Sequence, residues 1–196
     1  MALSLVRSTD KGETWTHGQA IRAAQILTKA AFDSQQIGIR DPDTGAAVRT
    51  GDIIPEVAVD RNPTSAGYGN LYAVWQDSRF SNGGDFSSFS LLIDEVAFSR
   101  STDGGFTWST PIKINKTPIG IPLGNRQAFT PAIRVAADGT IGVTYYDFRH
   151  NTPDPTTLPT DYFIVHCHPA SVSCPDPTHW TETQLTAASF DMARRL

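Results

Sequence analysis

Short runs rich in Val, Ile, aromatic and Thr residues alternate along this chain with stretches of Gly, Asn, Asp, Ser and Pro. That is the pattern of β-strands punctuated by turns. Four such runs occupy residues 54–60, 70–76, 95–100 and 107–114, and the same order returns at 130–135, 140–146, 162–166 and 180–185. Anchors between the runs hold the repeat in register: Asp77 and Asp147 stand 70 residues apart, Trp108 and Trp180 stand 72 apart. Two successive four-strand units are therefore expected, preceded by two strands at 3–8 and 14–21. One segment, 22–31, carries Ala, Ile and Leu at helical spacing and is the single place where a helix is expected.

A local repeat sits inside this larger one. Arg7-Ser8-Thr9-Asp10-Lys11-Gly12-Glu13-Thr14-Trp15 returns as Arg100-Ser101-Thr102-Asp103-Gly104-Gly105-Phe106-Thr107-Trp108. Ser, Asp, Gly, Thr and Trp coincide, a match expected by chance about once per million windows at ordinary residue frequencies. A third, decayed copy ends at Trp180, with both glycines gone and its Asp displaced. Gly supplies a positive-φ turn at little cost, and a short carboxylate accepts turn N–H groups. The repeated Ser8, Asp10, Gly12 and Trp15, and Ser101, Asp103, Gly105 and Trp108, are thus expected to clamp hairpins rather than to do chemistry.

The Ser-x-Asp-x-Gly-x-Thr-Trp element resembles the Asp-box, or bacterial neuraminidase repeat, of sialidases and their relatives. The resemblance implies an all-β fold, a partial β-propeller of two full four-stranded antiparallel blades plus half a blade. Residues 1–21 would form the half blade, 54–116 and 130–186 the full blades, and 187–196 the lead into a missing one. It also implies the activity of an exo-sialidase-like glycoside hydrolase acting on terminal sialic acid or a related sugar. Asp-box propellers that bind glycans or proteins without catalysis are the alternative.

In such blades the boxes mark one end, and the long stretches 17–52, 80–94, 115–129 and 151–161 collect at the other, where a site belongs. Two matched triplets enter that end, Asp77-Ser78-Arg79 and Asp147-Phe148-Arg149. By likeness to sialidases, which use three arginines, a Tyr nucleophile with a Glu partner and an Asp acid/base, Arg79, Arg126 and Arg149 with Asp77 are candidates for binding substrate. Asp147 and Tyr145 are candidates for catalysis. Arg49 lies on the same face. A plainer reading makes each Asp-Arg pair a tie between a strand and its neighbour. The family's Arg-Ile-Pro element is unmatched, since Asp52-Ile53-Ile54-Pro55 lacks the Arg. Glu13, Glu56 and Glu95 fall in a box or in strands, so no Tyr-Glu pair is assigned.

Charge and cysteine content narrow the remaining classes. Sixteen basic and twenty acidic residues give a net charge of -4 with no basic stripe, which argues against a nucleic-acid partner. No apolar run is long enough to span a membrane. A glycan or small carbohydrate is the expected partner, together with the remaining blades of a longer parent chain, and no cofactor or metal is called for. Cys167 and Cys174 close a short loop. A disulfide, free thiols and a Cys/His metal site are all open, with the disulfide favoured because the spacing matches no common zinc pattern. An extracellular or periplasmic location follows from that preference.

Two and a half blades would leave two blade faces uncovered, with 72–75 and 143–146 flanked on one side only. Sedimentation velocity on the isolated chain is expected to show self-association; a monomer with a cooperative thermal transition would show that the faces are buried in another way.

Overall fold

The computed structural model describes residues 1–15, 20–33, 35, 37–50 and 54–192. It is all-β, built of antiparallel sheets, with single turns of 3-10 helix and no α-helix among the described residues. The described residues form eleven strands: β1 (Ala2–Leu5), β2 (Ile21–Gln25), β3 (Glu56–Val59), β4 (Leu71–Asp77), β5 (Glu95–Ser101), β6 (Ile112–Lys113), β7 (Ala128–Val135), β8 (Ile141–Asp147), β9 (Pro159–Cys167), β10 (Thr181–Gln184) and β11 (Phe190–Asp191). β1 and β2 pair; β3-β4-β5-β6 form one four-stranded sheet; β7-β8-β9-β10 form the next, with β11 folding back onto the start of β9.

Registers repeat along with sequence. Leu71 pairs with Ser101 in the first four-stranded sheet, and Ile141 with Cys167 in the second, so Ser101 and Cys167 occupy equivalent places. Three local expectations change. The helical spacing at 22–31 resolves into β2 and a single 3-10 turn at Lys29–Ala31, because Ala24 and Ile26 are buried against the next sheet. The strand expected at 14–21 starts only at Ile21, and residues 16–19 lie outside the described ones. Of the run 107–114, only Ile112 and Lys113 pair as a strand, since the box turn holds the residues before them.

The sheets stack face to face. Tyr72, Val74, Val96 and Phe98 meet Ile133, Ile141, Val143, Tyr145, Phe163, Val165 and Trp180 in the largest core. Phe98 and Trp180 pack edge to face at 4.9 Å, worth about 0.5–1.5 kcal/mol beyond the area they bury. The opposite face of the first four-stranded sheet, Ala73, Trp75 and Ala97, packs on Ala24 and Ile26. Tyr72, Ala73, Val74 and Trp75 are consequently at most 1% exposed. The expectation that this strand lacks a neighbour on one side is corrected: it is sandwiched between two sheets. β8 instead alternates, with Val143 and Tyr145 buried but Thr144 and Tyr146 only partly covered.

Both boxes adopt one hydrogen-bond pattern. Ser8 Oγ accepts from Gly12 N at 2.6 Å and Ser101 Oγ from Gly105 N at 2.8 Å. Asp10 accepts from Thr14 N at 2.9 Å, Asp103 from Thr107 N at 3.0 Å, and each Ser hydroxyl donates to its Asp. Hydrogen bonds from Thr14 hold Asp10 at about 2, well below its ordinary 3.8. Gly105 has φ +95, and a Cβ there would lie 2.9 Å from Leu5 of the preceding sheet, so the second turn needs glycine twice over. In the third copy a disulfide joins Cys167, at the serine's place, to Cys174. Trp180 Nε1 donates to Cys174 O as Trp108 Nε1 donates to Gly105 O.

Ser101 is buried, and its hydroxyl both accepts and donates within the turn. Ser101→Ala strands the Gly105 N–H and is expected to cost about 1–3 kcal/mol in urea unfolding. Thr102→Ala, at an exposed neighbour, is expected to change stability by about 0.5 kcal/mol or less.

Candidate functional site

The loops opposite the boxes gather residues 26–33, 37–50, 78–94, 114–127, 148–158 and 185–192. A small hairpin crosses this end. Arg40 bridges Ala47, Val48 N donates to Ile39 O, and Asp41 N donates to Ala46 O. It docks on the second four-stranded sheet: Ile39 is fully buried with Phe129, Phe148 and Leu158. Gln127 exchanges hydrogen bonds with the Arg40 backbone at 2.9 and 2.7 Å, and Asn151 Nδ2 reaches Asp43 at 3.0 Å.

The two Asp-Arg triplets are built alike. Asp77 and Asp147 end β4 and β8 with no exposed side-chain surface. Arg79 Nε donates to Asp77 at 2.8 Å, and Arg149 reaches Asp147 at 2.7 Å. Each carboxylate also accepts from the segment that leaves the outer strand of the preceding sheet: Leu27 N at 3.1 Å for Asp77, and Thr117 Oγ1 at 2.7 Å for Asp147. Trp75 Nε1 adds a bond to Asp77 at 2.6 Å, and Arg79 reaches back to Gln25 O. Burial pushes the Asp147 carboxyl up, while hydrogen bonds from Arg149 and Thr117 pull it down.

Tyr145, on the same face of β8 as Asp147, is fully buried. Its hydroxyl donates to Glu182 and accepts from Lys116 N at 3.2 Å and from Arg149 Nη2 at 3.0 Å. Arg149 also grips Glu182 at 2.7 Å and lies 3.6 Å over the Phe163 ring. Burial and the neighbouring Glu182 raise the Tyr145 pKa far above that of a free phenol, so the hydroxyl is a fixed donor. Glu182 escaped the sequence reading, although a signal existed: it stands two residues after buried Trp180 in a strand and so shares its face.

The candidates thus divide. Arg79 and Arg149 are committed to carboxylates, and Asp77, Asp147 and Tyr145 are enclosed. Arg126, at the end of a 3-10 turn before β7, makes no ion pair among the described residues, and its Nε is buried without a hydrogen-bond partner. Arg49 is exposed beside a groove of about 530 Å³, walled by Asp41, Val48, Pro155, Leu158 and Met192. This size suits one or two sugar rings, and the wall combines apolar surface with a cation and a carboxylate. Asp52 and Ile53 of the unmatched sialidase element lie outside the described residues. No group of three or more His, Cys, Asp or Glu suited to a metal occurs among the described residues, and none of their helices is long and apolar enough to cross a membrane.

Arg149→Ala leaves Asp147 and Glu182 without their shared cation and is expected to cost about 3–5 kcal/mol in chemical unfolding. Arg126→Ala breaks no ion pair and is expected to cost about 1 kcal/mol or less in the same measurement.

No protein-family model matches the chain, and no curated protein sequence is significantly similar to it. Among solved structures it is similar to a Hadza microbial sialidase, with 18% identity over 68% of this chain and 25% of that one, at a TM-score of 0.46. It is also similar to an α-L-arabinofuranosidase from Fusarium graminearum solved with an iminosugar inhibitor, with 14% identity over 94% of this chain and 40% of that one, at a TM-score of 0.46. The chain therefore spans a quarter of the length of the first and two fifths of the second.

Proposed function

We propose that the chain is a segment of an Asp-box β-propeller from an exported, carbohydrate-active protein, and that this segment binds glycan without cleaving it. The propeller reading is supported by the repeated strand order, by the equivalent registers and by sheets that stack through matched faces. In this reading Thr144, Tyr146 and Ile164 on the last sheet are half-covered because they face a further blade. The disulfide between Cys167 and Cys174 supports an oxidising compartment, outside the cell or in the periplasm.

One observation carries the choice between binding and hydrolysis. An acid/base carboxylate must reach its substrate, yet Asp77 and Asp147 are fully buried and each is neutralised by the arginine of its own sheet. The exposed cation, Arg49, lies instead beside the open groove. Glycan contact there, with Leu158 and Pro155 against a sugar face and Arg49 on its hydroxyls or carboxylate, needs no bond cleavage. Exo-sialidase activity is the second reading, kept by the buried meeting of Tyr145, Glu182 and Arg149.

Two assays separate the readings. Calorimetry with sialyllactose and arabino-oligosaccharides is expected to detect binding that weakens about tenfold in Arg49→Ala, while aryl sialoside and aryl arabinofuranoside release no phenol above blank. Release that disappears in Asp147→Asn would establish the hydrolase reading, and absence of binding to either sugar would remove the groove.

A further inference from the structure

The third turn departs from the two boxes in one further way. Arg7-Ser8-Thr9 and Arg100-Ser101-Thr102 become His166-Cys167-His168, so both residues beside the serine's place change to imidazoles. The disulfide with Cys174 withholds both sulfurs from any metal, which disposes of a Cys/His site, but it also pins the backbone between the two histidines. Cys167 is fully buried, whereas His166 is partly exposed and His168 exposed. Residues two apart on an extended chain share a face, and the two rings are in contact.

The ring centroids lie 5.2 Å apart, with the planes at 80° to one another. Two imidazoles on one ion, each through a nitrogen about 2.0–2.1 Å away and at right or tetrahedral angles, have centroids about 4.5–5.3 Å apart. The spacing is therefore already that of a chelate. Rotation about χ2, which is broad for histidine, suffices to turn a nitrogen of each ring to a common point. His168 Nδ1 pairs with Thr140 Oγ1 at 2.9 Å, just before β8. That contact fixes the ring through one nitrogen and leaves the other for an ion, the arrangement that orients metal-bound histidines. The ring of His166 hydrogen-bonds no described residue, and across from it on β8 stands Gly142, with no side chain to crowd it. Asp138, in the turn between β7 and β8, interacts electrostatically with His168 and adds negative charge beside the pair.

We propose that His166 and His168 chelate one divalent transition ion, with water in its other coordination positions. Imidazole ligands suit Cu²⁺, Ni²⁺ and Zn²⁺ rather than Mg²⁺ or Ca²⁺, and Cu²⁺ binds such a site most tightly. Two protein ligands leave the ion open to a further group, unlike a closed structural site with four. The pair lies at the box end and shares no wall with the groove.

Calorimetry on the intact, tag-free chain with the chloride salts of Zn²⁺, Cu²⁺ and Mg²⁺ tests this. Saturable binding of one equivalent is expected for Zn²⁺ and, more tightly, for Cu²⁺, with no heat of binding for Mg²⁺. His166→Arg and His168→Thr restore the residues of the second box, and each is expected to weaken Zn²⁺ binding about tenfold or more. His150→Ala and His179→Ala are expected to keep it. No saturable Zn²⁺ or Cu²⁺ binding, equal binding in either box variant, or loss of binding in His150→Ala or His179→Ala would overturn the proposal. Should a box variant fail to fold, the wild-type chain with one equivalent of Cu²⁺ decides by electron spin-echo spectroscopy, which counts bound imidazoles. Two are expected; one or none would sink the site.

Discussion

A carboxylate sealed inside a stack of sheets has to be surrounded by donors, and the structure meets that requirement in the same way at matching places of two consecutive sheets. Asp77 and Asp147 terminate the second strands of consecutive sheets, and each gathers its own arginine together with a donor from the sheet before it. Hydrophobic contact alone would let two sheets slide on one another, because apolar packing has little directional preference. A buried charge with fixed partners does not slide. The pair therefore sets the angle and register at which neighbouring sheets meet, and the aromatic cores fill the space so defined.

The turn boxes perform the matching task at the other end of the sheets. In two turns a serine and an aspartate tie the loop by hydrogen bonds, and glycine supplies the backbone conformation. Lys11 takes φ 61 where the later copy has Gly104 at φ 74, so the first turn keeps its shape with a less suited residue. In the third turn the serine's place is held by Cys167, and a covalent link to Cys174 replaces the lost clamp. Two chemical solutions thus serve three turns at equivalent places, with the tryptophan N–H capping a turn carbonyl in the second and third.

Much of this was readable in the chain. Strand positions, the four-strand repeat and the box chemistry follow from period-two patterning and turn residues, which act locally. What escaped was non-local. The spacing at 22–31 reads as a helix in isolation, yet Ala24 and Ile26 serve a sheet interface that only tertiary packing creates. The isolated view of strand 72–75 likewise missed that both of its faces are covered. Among the candidate residues, Asp77, Asp147, Arg79 and Arg149 were legible as repeated pairs. Glu182 and Thr117 were not, because their partners lie 33 and 30 residues away.

The hairpin at 39–48 imposes an order on how the molecule is made. Its docking partners, Gln127 and Asn151, follow it by 87 and 108 residues, and one of its side chains, Ile39, is fully enclosed by residues from the later sheet. During synthesis at about 5–20 residues per second, this early segment emerges well before anything it can pack against, and it waits for several seconds with an apolar residue and backbone polar groups in water. Closing so long a loop makes the topology intrinsically slow to complete. The groove beside Arg49, whose far wall is Pro155, Leu158 and Met192, therefore comes into being only when those late residues have arrived.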